Sequence, residues 1–339
     1  MEVGCIVSYA ELQKLGYIED ADGFFRHTNI PRLRSGLPTR YSEVTRTASL
    51  PAPPPGEGAS DRDIGNVAVL GAGHLGGACI AGLLRSGWSS SRLYIAESDP
   101  DRRSRIAAES GAFVSDDVGR VVAESDLILV AVRPGSLRQV LETAAPHLVD
   151  RCRLLVSFAA GIPREMICRW CCGGETVVVR AMPNLAISLN RGAIALFAPG
   201  LAPEHHETLE KLLGRLGRLY WLKSEEWMDG ITALAGSGPA YFFHFMACLR
   251  NAAASRGMDP ALATDLVLQT GQGSLELADQ GGGDFERLRE GVTSPGGTTA
   301  AALEQLRKLG FETAVTQALM AAWERGTELA QQARETETA

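Results

Sequence analysis

The chain has 339 residues, enough for two domains that each bury their own core. Hydrophobic residues make up 45% and charged residues 22%, the balance of a globular protein rather than a disordered one. A net charge of -7 speaks against nucleic acid or an anionic membrane as partner, and no apolar run reaches the roughly 18 residues that a membrane helix needs.

In chain order, residues 1–64 show little periodicity. The stretch YAELQKLGYI predicts a short helix, and SLPAPPPGEGASDRD reads as a linker. The start MEVGCIVSYAEL lacks the basic-then-apolar plan of a secretory signal, and Glu2, Glu11, Glu19, Asp20, Asp22 and Glu43 are foreign to a transit peptide. The expected location is the cytoplasm.

From Asn66 strands and helices alternate. VAVLG, RLYIAE, AFVS, DLILVAV, RLLVSFAA and TVVVRAMPN read as strands. HLGGACIAGLLRSG, PDRRSRIAAESG, DVGRVVAES and PGSLRQVLETAAPHL read as the helices between them. The near-continuous apolar strands predict an α/β fold with a doubly wound parallel sheet covered on both faces, spanning residues 65–224. From about Glu225 strand signals stop, and residues 225–332 predict an all-helical domain, which the resemblance given below implies to be the dimerisation and substrate domain, before a tail at 333–339. Apolar residues on several helix faces there imply burial by a second subunit.

Three stretches carry candidate chemistry. GAGHLG lies between a predicted strand and helix, where Gly71 makes the turn, Gly73 admits a pyrophosphate and Gly76 allows close packing. His74 and Leu75 open the helix whose N-terminus receives phosphate. Glu97, at the end of the second strand, is placed to accept bonds from a ribose 2′-hydroxyl, whereas Ser98, Arg102, Arg103 and Arg105 could hold a 2′-phosphate. NADH and NADPH both remain open on these residues, and a flavin is a smaller alternative because the same fingerprint serves it. MICRWCCGG brings Cys168, Cys171 and Cys172 together, but without a second cysteine pair no metal is expected. Finally, TSPGGTTAAAL could be an ordinary capped turn or an anion site at a helix start.

GAGHLGGACIAGLLRSG, AVRPGSLRQVL, VSFAAGIP, VVRAMPN, ITALAGSGPAY and VTSPGGTTAAALEQL stand in the order and spacing of the pyrroline-5-carboxylate reductase family, which residues 66–332 resemble. The resemblance implies a nucleotide-binding domain, a helical domain that pairs subunits into homodimers or larger rings, and NADPH-dependent reduction of a cyclic imino acid, most simply 1-pyrroline-5-carboxylate to L-proline. By motif it sets Ala131, Arg133, Pro134, Ala159, Ala160 and Gly161 beside the cofactor, and Glu226 near the substrate. It makes Ser294, Gly296, Gly297 and Thr298 the carboxylate loop, with Thr299 bonding the ring nitrogen as the catalytic residue. The chain departs from the family at Arg133 (usually lysine), at Asn184 to Ala186 (usually Asn-Thr-Pro), at Val118 (commonly an asparagine at the adenine-side ribose) and at His74. Alternatives are the same chemistry on a related cyclic imine and a nucleotide-binding scaffold without turnover.

Overall fold

The computed structural model describes residues 17–19, 25–27, 44–46, 64–149, 153–171 and 176–338. The chain divides into two units, Met1–Tyr41 and Ser42–Ala339. In the first, β1 (Tyr17–Glu19) pairs antiparallel with β2 (Phe25–His27). The helix expected over YAELQKLGYI is therefore corrected at its end: Tyr17 and Ile18, both good strand formers, join a cross-strand ladder instead. The rest of that segment, and the linker, lie outside the described residues.

The second unit is built on a nine-stranded sheet that begins with β3 (Val44–Arg46). Next in the chain come β4 (Val67–Leu70), β5 (Leu93–Ala96), β6 (Phe113–Ser115), β7 (Leu127–Val130) and β8 (Leu154–Ser157). It closes with β9 (Val177–Met182), β10 (Gly192–Phe197) and β11 (Gly217–Leu222). The spatial order is β3-β11-β10-β9-β8-β7-β4-β5-β6. From β6 across to β9 every pairing is parallel. β4, β7 and β8 are buried along their whole length, as strands covered on both faces must be.

Helices α1 (His74–Arg85), α2 (Pro100–Ser110) and α6 (Pro203–Leu213) cover one face, where Cys79, Ile80, Leu83 and Ile106 pack with Leu209, Leu212 and Leu213. Helices α3 (Val118–Ala123), α4 (Pro134–Ala144) and α5 (Arg164–Trp170) cover the other through Val121, Val122, Leu137, Leu141, Met166 and Ile167.

The sheet is wider and less uniform than the sequence predicts. β10 runs antiparallel to β9, β11 parallel to β10, and β3 antiparallel to β11. Only residues 183–191 separate β9 from β10, too few for a parallel crossover, and Asn190 reverses the chain at φ 57°. The segment ahead of Asn66 thus contributes an edge strand to the same sheet.

The helical part comprises α7 (Trp227–Ile231), a π-helical turn at Thr232–Gly236, α8 (Gly238–Ser255), α9 (Pro260–Gln280), α10 (Phe285–Gly291), α11 (Thr298–Lys308) and α12 (Phe311–Thr338). Residues 333–338 continue α12 instead of forming the expected tail, because nothing between Gly326 and Thr338 interrupts the helix. α12 lies against the sheet-bearing part: a Cβ on Gly161 would come 3.1 Å from Cβ of Leu329. It also lies on α7, where Trp323 leaves room only for Gly230.

α8 and α9 bury little within one chain. Gly238 and Ala263 are their only buried residues, while Phe242, Phe243, Leu262, Leu266, Leu275 and Leu277 stand exposed. So much apolar surface marks a subunit contact. Phe243→Glu, which sets a charge where a ring is 63% exposed, should weaken self-association at least about tenfold by light scattering. An unchanged mass at every concentration would show that α8 lies outside the contact.

Candidate active site

Where β4 sits between β5 and β7, the chain leaves the sheet in opposite directions and a crevice opens at the strand C-termini. That crevice is a cleft of about 1550 Å³. Its floor is the Gly71–Gly73 turn. Gly71 has φ +89°, a conformation L side chains avoid, and a Cβ on Gly76 would lie 1.9 Å from the Gly71 carbonyl oxygen. Only glycine at 76 lets α1 approach β4 this closely. A Cβ at Gly73 would meet nothing within 4 Å, so the backbone there is open to the cleft. The first N–H groups of α1, at His74, Leu75 and Gly76, have no partner one turn earlier and carry the positive end of the helix dipole. This cradle fits a dinucleotide pyrophosphate.

Ala131, Arg133 and Pro134 after β7, and Ala159 and Ala160 after β8, line the same cleft with Glu97, Ser98, Arg102, Arg105 and Val118. Gly76 and Gly161, also expected at the cofactor, do not line it: Gly76 packs on the Gly71 carbonyl and Gly161 on Leu329. Glu97 departs from the expected ribose contact. It is 5% exposed, with Oε2 accepting the Ala72 N–H at 2.8 Å and Oε1 accepting the Asp99 N–H at 2.9 Å. Arg102 adds an ion pair at 3.3 Å. Burial pushes the Glu97 pKa up, but the two backbone N–H groups and Arg102 pull harder, and the net value lies below the usual carboxylate range. Arg103 is also engaged, donating to the Glu97 and Ser98 carbonyls. Arg105 stands exposed at the rim.

The loop before α11 has its own geometry. The Gly297 N–H donates to the Ser294 carbonyl at 3.0 Å and Gly296 has φ +70°, so Ser294 to Gly297 form a tight turn stiffened by Pro295. This corrects the expected donor set: the Gly297 N–H closes the turn, leaving Gly296 and the first α11 residues, Thr298 and Thr299, to offer N–H groups. Thr293 Oγ1 donates to the Arg289 carbonyl, whereas among the described residues no partner meets the hydroxyls of Ser294, Thr298 and Thr299. The hydroxyls do not act as caps. Glu226 is exposed at the start of α7. Neither it nor the loop lines the cleft within one chain.

The sequence reading passed over Arg180, Glu225 and Asp229. Arg180 is 3% exposed in β9 and pairs with Glu225 at 2.9 Å and Asp229 at 3.4 Å. A lone arginine inside the apolar strand VVVRAM was the available signal.

A glycine turn feeding a helix N-terminus at the switch point of a doubly wound sheet, joined to a helical subunit-pairing part, defines a nicotinamide-dinucleotide oxidoreductase of two-domain type. The family model described as pyrroline-5-carboxylate reductase dimerisation matches residues 225–329, and one described as NADP oxidoreductase, coenzyme F420-dependent, matches residues 66–161. A pyrroline-5-carboxylate reductase of Pseudomonas aeruginosa is 36% identical over 267 residues, covering 78% of this chain and 97% of that one. One from Pisum sativum is 35% identical over 263 residues, with 77% and 94% covered. The solved pyrroline-5-carboxylate reductase of Coxiella burnetii superposes with a TM-score of 0.71 at 30% identity, covering 79% of this chain and 99% of that one. The Plasmodium falciparum pyrroline carboxylate reductase, solved with NADP bound, gives a TM-score of 0.71 at 25% identity over 78% and 98%. The chain belongs to the pyrroline-5-carboxylate reductase family, and homo-oligomerisation through its helical part follows.

Because the Glu97 pKa is depressed in the fold, its contribution to stability is present above the ordinary carboxylate value and lost as pH falls through the lower, folded value. Melting temperatures should therefore drop more steeply below about pH 4.5 in the wild type than in Glu97→Gln. Parallel acid profiles would mean that the carboxylate carries no such linkage.

Proposed function

We infer that this protein is an NAD(P)H-dependent reductase that converts the ring C=N bond of 1-pyrroline-5-carboxylate to the amine of L-proline. Carrying the reading is the pre-shaped Ser294–Thr299 turn, with unpartnered hydroxyls at a helix start, in a chain of this family. We propose residues 65–224 as the dinucleotide domain, 225–332 as the dimerisation and substrate domain, cytoplasmic location, and assembly as dimers that can close into a larger ring.

Bound in the cleft, the nicotinamide supplies the hydride. The protein's part is to bring the imine carbon to it. In our proposal the N–H groups of Gly296 and Thr298 and the Ser294 hydroxyl take the substrate carboxylate, and Pro295 limits the order that binding must impose. Thr299 hydrogen-bonds the ring nitrogen, which protonates readily in imines of this type, so orientation matters more than a strong protein acid. Glu226 approaches the substrate from the domain junction. The amide cradle of Gly73, His74, Leu75 and Gly76 holds the pyrophosphate on the turn that Gly71 makes, the Gly71 N–H itself donating to the Ala96 carbonyl at 2.8 Å, while Ala131, Arg133, Pro134, Ala159, Ala160 and Gly161 shape the wall beside the nicotinamide. Glu97 braces the glycine turn through Ala72, and Ser98, Arg102 and Arg105 receive the 2′-phosphate. NADPH is thus preferred, with NADH also used.

Steady-state kinetics with 1-pyrroline-5-carboxylate and a panel of other cyclic imino acids tests the substrate, and higher kcat/KM for another member would replace it. Thr299→Ala should lower kcat by about tenfold to a hundredfold, while Ser294→Ala should chiefly raise KM for the imino acid. Unchanged kinetics with lowered melting temperature in both would reduce the loop to a structural turn. Arg105→Ala should raise KM for NADPH by about tenfold and spare NADH. An equal effect on both cofactors would remove Arg105 from the 2′-phosphate.

A further inference from the structure

Arg180 ties the strand that ends beside the cleft to the helix that begins the helical part. On β9 it lies in register with Ser157, the last residue of β8, from which the chain continues into Phe158, Ala159 and Ala160 of the cleft wall. Its Nη1 donates to Glu225 Oε1 at 2.9 Å and its Nη2 to Asp229 Oδ1, on α7, at 3.4 Å. The same Glu225 oxygen accepts the N–H of Arg164 at 2.7 Å, where the chain leaves the cleft wall for α5. Arg164 Nε in turn donates to the Val178 carbonyl of β9 at 2.7 Å. Residues 157–164 are therefore held at both ends, and the carboxylate at the node immediately precedes Glu226.

As a stabilising device this arrangement is poor. Arg180 is 3% exposed and its Nε is buried without a partner. Buried ion pairs seldom repay their desolvation better than apolar packing does. What they supply is direction. Among the other contacts between the two parts, Gly161 on Leu329 is a van der Waals contact that tolerates sliding, and the polar ones, Asn184 Nδ2 to the Ala235 carbonyl at 3.1 Å and the Arg218–Asp279 pair at 3.0 Å, involve no residue of 157–164.

We propose that Arg180, clamped by Glu225 and Asp229, is a positioning residue that sets the distance between the nicotinamide on the sheet-bearing part and the imine carbon on the helical part. The proposal rests on the site assignment above. Hydride transfer is acutely sensitive to that distance, since misplacement by about 1 Å can cost about a hundredfold in rate.

The test uses the full-length protein with NADPH carrying deuterium at the transferred position. In Arg180→Lys, kcat should fall by about tenfold or more and the primary isotope effect on kcat should rise. KM for the imino acid, and the NADPH Kd from fluorescence titration, should stay unchanged. Glu225→Gln, which keeps an oxygen for the Arg164 N–H but loses the ion pair, should show the same pattern and serves where the lysine variant does not fold. A lowered melting temperature with wild-type kcat and isotope effect would overturn the proposal, leaving the cluster a fold element only. A parallel loss of NADPH affinity would also overturn it, because the cluster would then shape the cleft itself. Thr299→Ala measured alongside separates the two ideas: unchanged kcat there sinks the site assignment, whereas the isotope effect in Arg180→Lys reports the geometry by itself.

Discussion

How closely α1 can approach the end of β4 decides what the cleft can hold. A methyl group at position 76 would lie 1.9 Å from the Gly71 carbonyl oxygen, so the strand–turn–helix unit exists in this form only with glycine there. That contact aims the free N–H groups of α1 along the cleft floor. It also fixes the Gly71–Gly73 turn, whose remaining freedom is taken up by Glu97 through the Ala72 N–H. The central place of β4 does the rest. With β5 on one side and β7 on the other, the wall residues after β7 and β8 converge on the same floor.

The helical part follows a different logic. Its helices are tied to the sheet-bearing part mainly through α7 and α12, while α8 and α9 hold a large apolar surface away from any core of their own. The chain is complete as a fold only when that surface meets another subunit. The turn before α11 lies close to the same kind of surface: Phe285 and Val292 precede it, each 66% exposed, and Leu309 follows α11 at 74%. Association that covers these residues also removes water from around the turn. Hydrogen bonds to a carboxylate strengthen as the local dielectric falls, so in the site we propose, pairing of subunits and binding of the imino acid would favour one another.

Much of this was legible in the residues. The strands from β4 to β9 carry near-continuous apolar runs, the glycine fingerprint has its strand and helix on either side, and the six family blocks stand in order. What was not legible depended on tertiary pairing. GAIALF and GRLYWL are not among the six strands expected from the sequence, and whether β10 runs with or against β9 is decided by the short connection and the left-handed Asn190. Val44–Arg46 has no local signal and becomes a strand because β11 offers an open edge. Glu225 and Glu226 are neighbours of one type, and only the fold shows that the first meets Arg180 while the second is exposed. The Gly297 N–H looked available as a donor until the turn claimed it.

A chain with net charge -7 must bind two anions, a dinucleotide and an imino acid carboxylate. Long-range attraction works against it, so the favourable field has to be local. Backbone N–H groups at helix starts provide such a field without adding formal charge, and both α1 and α11 begin at glycine-containing turns that leave those groups uncovered. Arginines are then needed only where a phosphate or an acidic neighbour must be matched. Arg102 does the second of these at Glu97, and by neutralising that carboxylate it removes the repulsion that a 2′-phosphate would otherwise meet. An acidic residue at the end of the second strand usually signals a hydroxyl partner. Here its oxygens face the protein's own backbone, and the residue type alone is a poor guide to which cofactor the cleft prefers.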